Sequence, residues 1–207
     1  MEQKYQVFIN NHLIQCVDFV EFHQQDINRL SLFDANAEEI LALVKLFIRE
    51  KEQAFTLNLV GVKSNDLISM LKQHLKYIVA AGGVVEHQKQ FLVIHRLNKW
   101  DLPKGKMEKE ENPSLCALRE VEEECNVTEL KIESSLPSTY HIYEDGDNQL
   151  VMKETFWFKM STKDFGQPKP QKEEGIEEVK WVERSKMNSL VPYTYASLKP
   201  LFQEMGS

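Results

Sequence analysis

Residues 112–126 read NPSLCALREVEEECN, and this stretch restricts the chain more than any other. Asn112 is a good helix N-cap and Pro113 suits the first helical position, where its missing N–H costs nothing. Asn126 stands where a left-handed residue ends a helix, and Asn is the usual second choice there after Gly. At 3.6 residues per turn, Glu120, Glu123 and Glu124 share one face. Leu115, Leu118, Val121 and Cys125 are expected on the other face, which would dock on a sheet. Glu122 points away from the three, and Arg119, one turn before Glu123, is spaced to pair with it. Like charges this close repel, and most acidic runs are simply solvated faces. Three carboxylates on an anchored face call instead for a compensating positive charge. A hard divalent cation such as Mg²⁺ takes oxygen ligands and pairs naturally with phosphates. Just upstream, PKGK places Lys104 and Lys106 around Gly105, where a backbone without a Cβ can approach a ligand closely. Basic residues beside an acidic metal face point to a polyphosphate held between lysines and metal.

The rest of the chain supplies the sheet that such a helix needs. KYQVFINNHLIQCVDF reads as two short strands around an Asn10–Asn11 turn. DANAEEILALVKLFIREKEQ reads as a helix capped by Asp34 or Asn36, with Ile40, Leu43, Val44 and Phe47 as its apolar stripe. AFTLNLVG is a strand, and NDLISMLKQHLK a second helix. This N-terminal α/β unit, residues 1–76, has no Gly-rich loop and no His/Cys cluster. His12, His23 and His74 read as surface or core residues rather than ligands. From Tyr77 the rhythm changes to a meander: strand, Gly-Gly kink, strand, turn and strand. The polar loop LNKWDLPKGKMEKEEN and the acidic helix follow. STYHIYEDGDNQLVMKETFWFKM reads as a hairpin turning at EDGDN. A Pro/Gly/charged loop, the strand IEEVKWVE and a closing helix broken at Pro192 complete the chain.

From Gly105 the sequence GKMEKEENPSLCALREVEEECNV resembles the Nudix box, G-x5-E-x7-R-E-U-x-E-E-x-G-U with U aliphatic. Gly105, Glu111, Arg119, Glu120, Val121, Glu123, Glu124 and Val127 fall in place. Asn126 replaces the family glycine and keeps the helix-ending role. The resemblance spans residues 77–207. It implies an α/β (α+β) fold, a mixed sheet sandwiched by helices, with the small N-terminal unit added. It also implies a hydrolase that cleaves a diphosphate linkage in a nucleoside diphosphate linked to another group.

In that chemistry Glu120, Glu123 and Glu124 hold Mg²⁺ (or Mn²⁺), and the Gly105 carbonyl adds a ligand as it does in some members. Arg119 orients a box glutamate, and Glu111 braces the loop behind it. Lys104, Lys106 and Arg96 are the expected phosphate contacts. The general base is a box glutamate or one of Glu173 and Glu174, just before the last strand. LPKGK is similar to the loop of members acting on dinucleoside polyphosphates, and Tyr143 lies where some diadenosine-polyphosphate hydrolases carry a tyrosine. Nucleoside triphosphates are a further class. Tyr140, Trp157 and Phe158 are aromatic enough to stack on a base, but strand aromatics are more often core. Pro137 lies nearer the box than the proline of ADP-ribose enzymes, which disfavours ADP-ribose; an ADP-ribose or nucleotide-sugar pyrophosphatase and a non-catalytic Nudix-fold nucleotide sensor are the alternative readings.

Net charge decides against one partner class. With −7 over 207 residues and no basic stripe, a nucleic-acid substrate is not expected. No apolar run approaches a membrane span, and MEQKYQVFIN lacks the pattern of a signal peptide. Cys16, Cys116 and Cys125 have neither disulfide nor zinc spacing, so the expected compartment is the cytoplasm. The N-terminal unit is expected to form a homodimer interface or to shape the substrate pocket.

Overall fold

The structure, a computed structural model, describes residues 5–18, 28–164 and 166–207, so His23 lies outside the described residues. The chain divides into two compact units, one made of residues 1–78 with 139–153 and the other of 79–138 with 154–207.

In the first unit β1 (Gln6–Ile9) and β2 (His12–Val17) form the expected antiparallel hairpin, with Asn10 at φ 52° in its turn. β3 (Arg29–Phe33) and β2 both run parallel to β4 (Thr56–Val60). Nothing in the alternation of RLSLF announced β3, which is half-exposed along its length. Helix α1 (Ala37–Arg49) is capped by Asn36 rather than Asp34: the Asn36 side chain accepts from the Glu39 N–H, and the Glu39 carboxylate accepts from the Asn36 N–H. Ile40, Val44 and Phe47 of α1 bury against Leu57 and Leu59 of β4 and Leu67 and Leu71 of α2 (Ser64–His74). His12 is 1% exposed. Its Nδ1 accepts from the Phe55 N–H at 3.0 Å and its Nε2 meets the Glu50 carbonyl at 2.9 Å, which fixes the neutral tautomer with the proton on Nε2. It is a core residue, as expected.

In the second unit β5 (Lys76–His87) and β6 (Gln90–Arg96) are joined by a turn at Gln88 and Lys89, both at positive φ. The long hairpin β9 (Leu130–Glu144) and β10 (Leu150–Thr162) runs through both units. β11 (Ile176–Glu183) lies antiparallel to β6, giving the order β11-β6-β5-β10-β9. Alternation along β6 sorts the core into two layers. Leu92 and Ile94 pack with Cys116, Ala117 and Val121 of α3 (Pro113–Cys125). Phe91 and Val93 pack with Trp157 and with Met187 and Phe202 of α4 (Arg184–Leu190) and α5 (Lys199–Met205). The result is the mixed sheet with helices on both faces that the sequence predicted.

Three expectations need correction. Gly82 and Gly83 do not kink the meander; β5 runs straight through them. A Cβ on Gly82 would lie 2.3 Å from the Pro103 carbonyl oxygen and 2.5 Å from the Lys104 Cβ, so the glycine is there for close approach. The polar loop contains two three-residue strands, β7 (Lys99–Asp101) on β6 and β8 (Lys104–Lys106) on β5. Leu115 is 55% exposed rather than buried. The sheet-facing arc of α3 runs instead through Cys116, Ala117, Val121 and Cys125, and it includes Glu120 and Glu124. The closing segment breaks at Pro192 as expected, into two short helices with 3₁₀ turns at Val191–Tyr193 and Ala196–Leu198 between them. Among the described residues no helix is long and apolar enough to cross a membrane.

Candidate active site

Helix α3 is fixed at both ends. Asn112 accepts from the Leu115 N–H at 3.0 Å, and Asn126 closes the helix at φ 53°. Its last carbonyls are answered by the following loop: Lys169 N–H donates to the Cys125 oxygen at 2.9 Å and Gln171 N–H to the Glu124 oxygen at 3.2 Å. Those two bonds also set the 3₁₀ turn Lys172–Glu174, which carries Glu173 and Glu174, beside the end of the acidic helix.

Arg119 organises the outer half of the site. Its Nε and Nη2 fork onto the two oxygens of Glu111 at 2.9 and 3.0 Å. Nη1 donates to Glu120 Oε1 at 2.7 Å and Glu123 Oε2 at 3.0 Å, and Nη2 also reaches the Lys106 carbonyl at 3.2 Å. The guanidinium holds the Glu111 carboxyl down to about 2, helped by the Glu108 N–H that Glu111 accepts at 2.9 Å. Burial pushes Glu120 up; Arg119 opposes that, and the nearby charges of Glu123 and Glu174 add to it.

The inner half is a buried ionic cluster. Glu124 is 2% exposed, accepts from the Lys104 N–H at 2.9 Å, and lies 3.7 Å from Arg96 Nη1. Burial raises its carboxyl to about 7 against the pull of Lys104 and Arg96. The Lys104 ammonium is bound at 2.6 Å by Asp101, itself 1% exposed, and Asp101 Oδ1 accepts from the Leu102 N–H at 2.8 Å. Arg96 Nε stands 3.6 Å from the same Asp101 carboxylate, and burial, with the Asp101 charge, raises the Tyr195 hydroxyl of the C-terminal segment against the pull of Arg96. That segment is tied down by Thr194, whose hydroxyl donates to the Trp100 carbonyl at 2.8 Å.

The donor chemistry suits a hard divalent cation: carboxylates along one side of α3, with Gly105 facing them. A Cβ on Gly105 would lie 1.9 Å from Glu120 Oε2, so only glycine lets the β8 backbone and that carboxylate meet. Among the described residues no three His, Cys, Asp or Glu side chains already stand together as a ligand set. Arg119 and the Lys104–Arg96 pair hold the positive charge against these carboxylates instead.

The sequence-predicted residues thus separate into three groups. Glu111, Arg119, Glu120 and Glu123 are bonded together around one guanidinium, and the Lys106 backbone joins them. Glu124, Lys104 and Arg96 share the buried cluster. Tyr143 belongs to the first unit, where it stacks on His141 and sits in the field of Lys76 and Asp145. Tyr140 and Trp157 are core, 3% and 1% exposed. Sequence reasoning missed Asp101 and Tyr195, neither of which belongs to a pattern; the one available signal was an acid three residues before Lys104.

A family model of the NUDIX domain matches residues 76–205, well over half of the chain. No curated protein matches it. Similar solved structures include the MutT protein from Methanosarcina mazei Go1, 21% identical, covering 63% of this chain and 94% of that one at a TM-score of 0.48. A C. elegans Ap4A hydrolase is 23% identical over 61% of this chain and 93% of that one, with a TM-score of 0.43. The E. coli dihydroneopterin triphosphate pyrophosphohydrolase is 18% identical over 62% and 96%, with a TM-score of 0.49. The family match takes in the carboxylate helix, the β8 ridge facing it and the loop that caps it, and on that ground the chain belongs to the NUDIX family of hydrolases.

Proposed function

We propose that this hydrolase cleaves a diphosphate linkage in a nucleoside diphosphate linked to a further group, with Mg²⁺ as its cofactor and Mn²⁺ as a substitute. Dinucleoside polyphosphates and nucleoside triphosphates are the substrate classes that fit best. The observation that carries this reading is the α3 face, where Glu120, Glu123 and Glu124 stand with Gly105 on the facing β8 strand. Those four residues would hold the metal, which when bound neutralises phosphate charge and lowers the pKa of a bound water. Arg119 and Glu111 fix the carboxylates' orientation, so that their geometry is set before substrate arrives. Lys106, exposed on β8, contacts the phosphate chain. Lys104 and Arg96, half-buried behind Glu124, add positive potential rather than direct contact.

A box glutamate, or Glu173 or Glu174 on the 3₁₀ turn held beside the end of α3, is the proton acceptor for the attacking water. We place the hydrolase domain at residues 77–207, with the 1–76 unit shaping the pocket or forming a homodimer contact. The three free, buried cysteines favour the reducing cytoplasm. The test is a hydrolysis screen with Mg²⁺ and with Mn²⁺ over nucleoside triphosphates, dinucleoside polyphosphates, ADP-ribose and inositol pyrophosphates. Activity on a polyphosphate that disappears in Glu123→Gln and Glu124→Gln is expected, with kcat lowered in Glu173→Gln or Glu174→Gln. Silence across the panel, or full turnover in both box variants, defeats the reading.

A further inference from the structure

Behind the carboxylate face lie two cations and two carboxylates whose charges cancel: Arg96, Lys104, Asp101 and Glu124. Their side chains are 24%, 10%, 2% and 2% exposed, so little water screens them. Both cations lean toward Asp101. The Lys104 ammonium touches it at 2.6 Å, and the buried Arg96 Nε, which has no hydrogen-bond acceptor, lies 3.6 Å from it. Among the described residues, the Glu124 carboxylate receives only the Lys104 backbone N–H at 2.9 Å and a longer 3.7 Å approach from Arg96. We propose that Asp101 is a positioning residue for the metal face: it draws the Lys104 ammonium and the Arg96 guanidinium onto itself and so leaves the Glu124 carboxylate available to a divalent cation.

The physical reason is competition within a poorly screened site. A buried cation does not remain unpaired. Without the Asp101 charge, Glu124 is the carboxylate left in the cluster for both cations. An ammonium that closes on Glu124 occupies the lone pairs a metal needs. The unbalanced positive charge also repels the metal directly. Lys104 is thereby a competitor of the metal that Asp101 restrains, and this gives two substitutions in one cluster opposite signs.

This inference rests on reading the α3 carboxylates as metal ligands, and the experiment separates the two. Mn²⁺ binding to the chelator-stripped full chain is read from the electron paramagnetic resonance signal of free Mn²⁺, with far-UV circular dichroism to verify folding. Asp101→Asn is expected to weaken Mn²⁺ binding by about tenfold or more. Lys104→Gln, which keeps the backbone N–H to Glu124, is expected to tighten it by about threefold or more. The double variant returns to within about threefold of the unsubstituted protein, a recovery that loss of a merely structural bond would not produce. Asp101→Asn binding within about twofold of the unsubstituted protein overturns the proposal. So does a double variant as weak as Asp101→Asn, or weaker binding in Lys104→Gln. Should Asp101→Asn fail to fold, the sign of the Lys104→Gln effect decides alone. No Mn²⁺ binding by the unsubstituted protein defeats the metal reading itself and this inference with it.

Discussion

Replacing Glu124 by Gln should stabilise the metal-free protein while removing its activity. The carboxyl is 2% exposed and burial raises it from 4.5 to about 7. A carboxyl whose folded value lies above its unfolded one contributes most to stability below the unfolded value, near 4.5. That contribution is lost as pH rises through about 7. The difference corresponds to about 3 kcal/mol, present as a penalty at pH 8 and mostly relieved at pH 5. Gln is neutral at every pH and of the same shape, so it escapes the penalty. The variant should be more stable than the parent by about 3 kcal/mol at pH 8 and by less than about 1 kcal/mol at pH 5. Urea unfolding in the presence of a chelator at both pH values measures it, with hydrolysis assayed in parallel. A variant no more stable at pH 8, or one with equal gains at the two pH values, refutes the reasoning. Either result would mean that Arg96 and Lys104 compensate the buried charge in full.

Other substitutions test other joints. Arg119→Lys keeps a positive charge but loses the fork onto Glu111, and should cost about 2–3 kcal/mol in urea unfolding. Glu111→Gln should cost a similar amount and combine with it less than additively, whereas strict additivity would show that the two do not act together. Gly105→Ala should lower the Mg²⁺-dependent rate about tenfold or more at a stability cost of about 1 kcal/mol, since the flexible Glu120 end moves aside but leaves its place. An undiminished rate counts against Gly105 as part of the site. Gly82→Ala meets the Pro103 backbone at 2.3 Å, which cannot swing away, and should lower stability by about 3 kcal/mol in a thermal melt.

Local signals proved readable where they were strong. Asn112, Pro113 and Asn126 marked α3 to the residue, because caps and left-handed ends depend on their own side chains. The β1–β2 and β9–β10 hairpins were evident from their turns. What escaped was set by tertiary pairing. β7 and β8 are three residues each and are strands only because β6 and β5 supply partners. Gly82 looked like a kink because sequence does not show that Pro103 and Lys104 press against it. On a helical wheel Glu120 and Glu124 belong with the polar residues, yet both are buried, since Arg119, Lys104 and Arg96 make burial tolerable. The NUDIX kinship was legible from the box, but the box says nothing of Asp101. An isolated acid beside a tryptophan gains its meaning only when folding brings two cations to it.

The division of the first unit has a consequence for how the chain is made. β1 takes Tyr140, His141 and Ile142 of β9 as its parallel neighbours, and residues 139–153 belong to the same compact unit. The ribosome must therefore deliver everything between before that unit has all of its strands. At ordinary synthesis rates the delay is on the order of several seconds. During that time β1 presents an unpaired edge to solvent, which is where strands recruit the wrong partner. The N-terminal unit emerges first and is completed late, so a chaperone acting on this protein would find its client there.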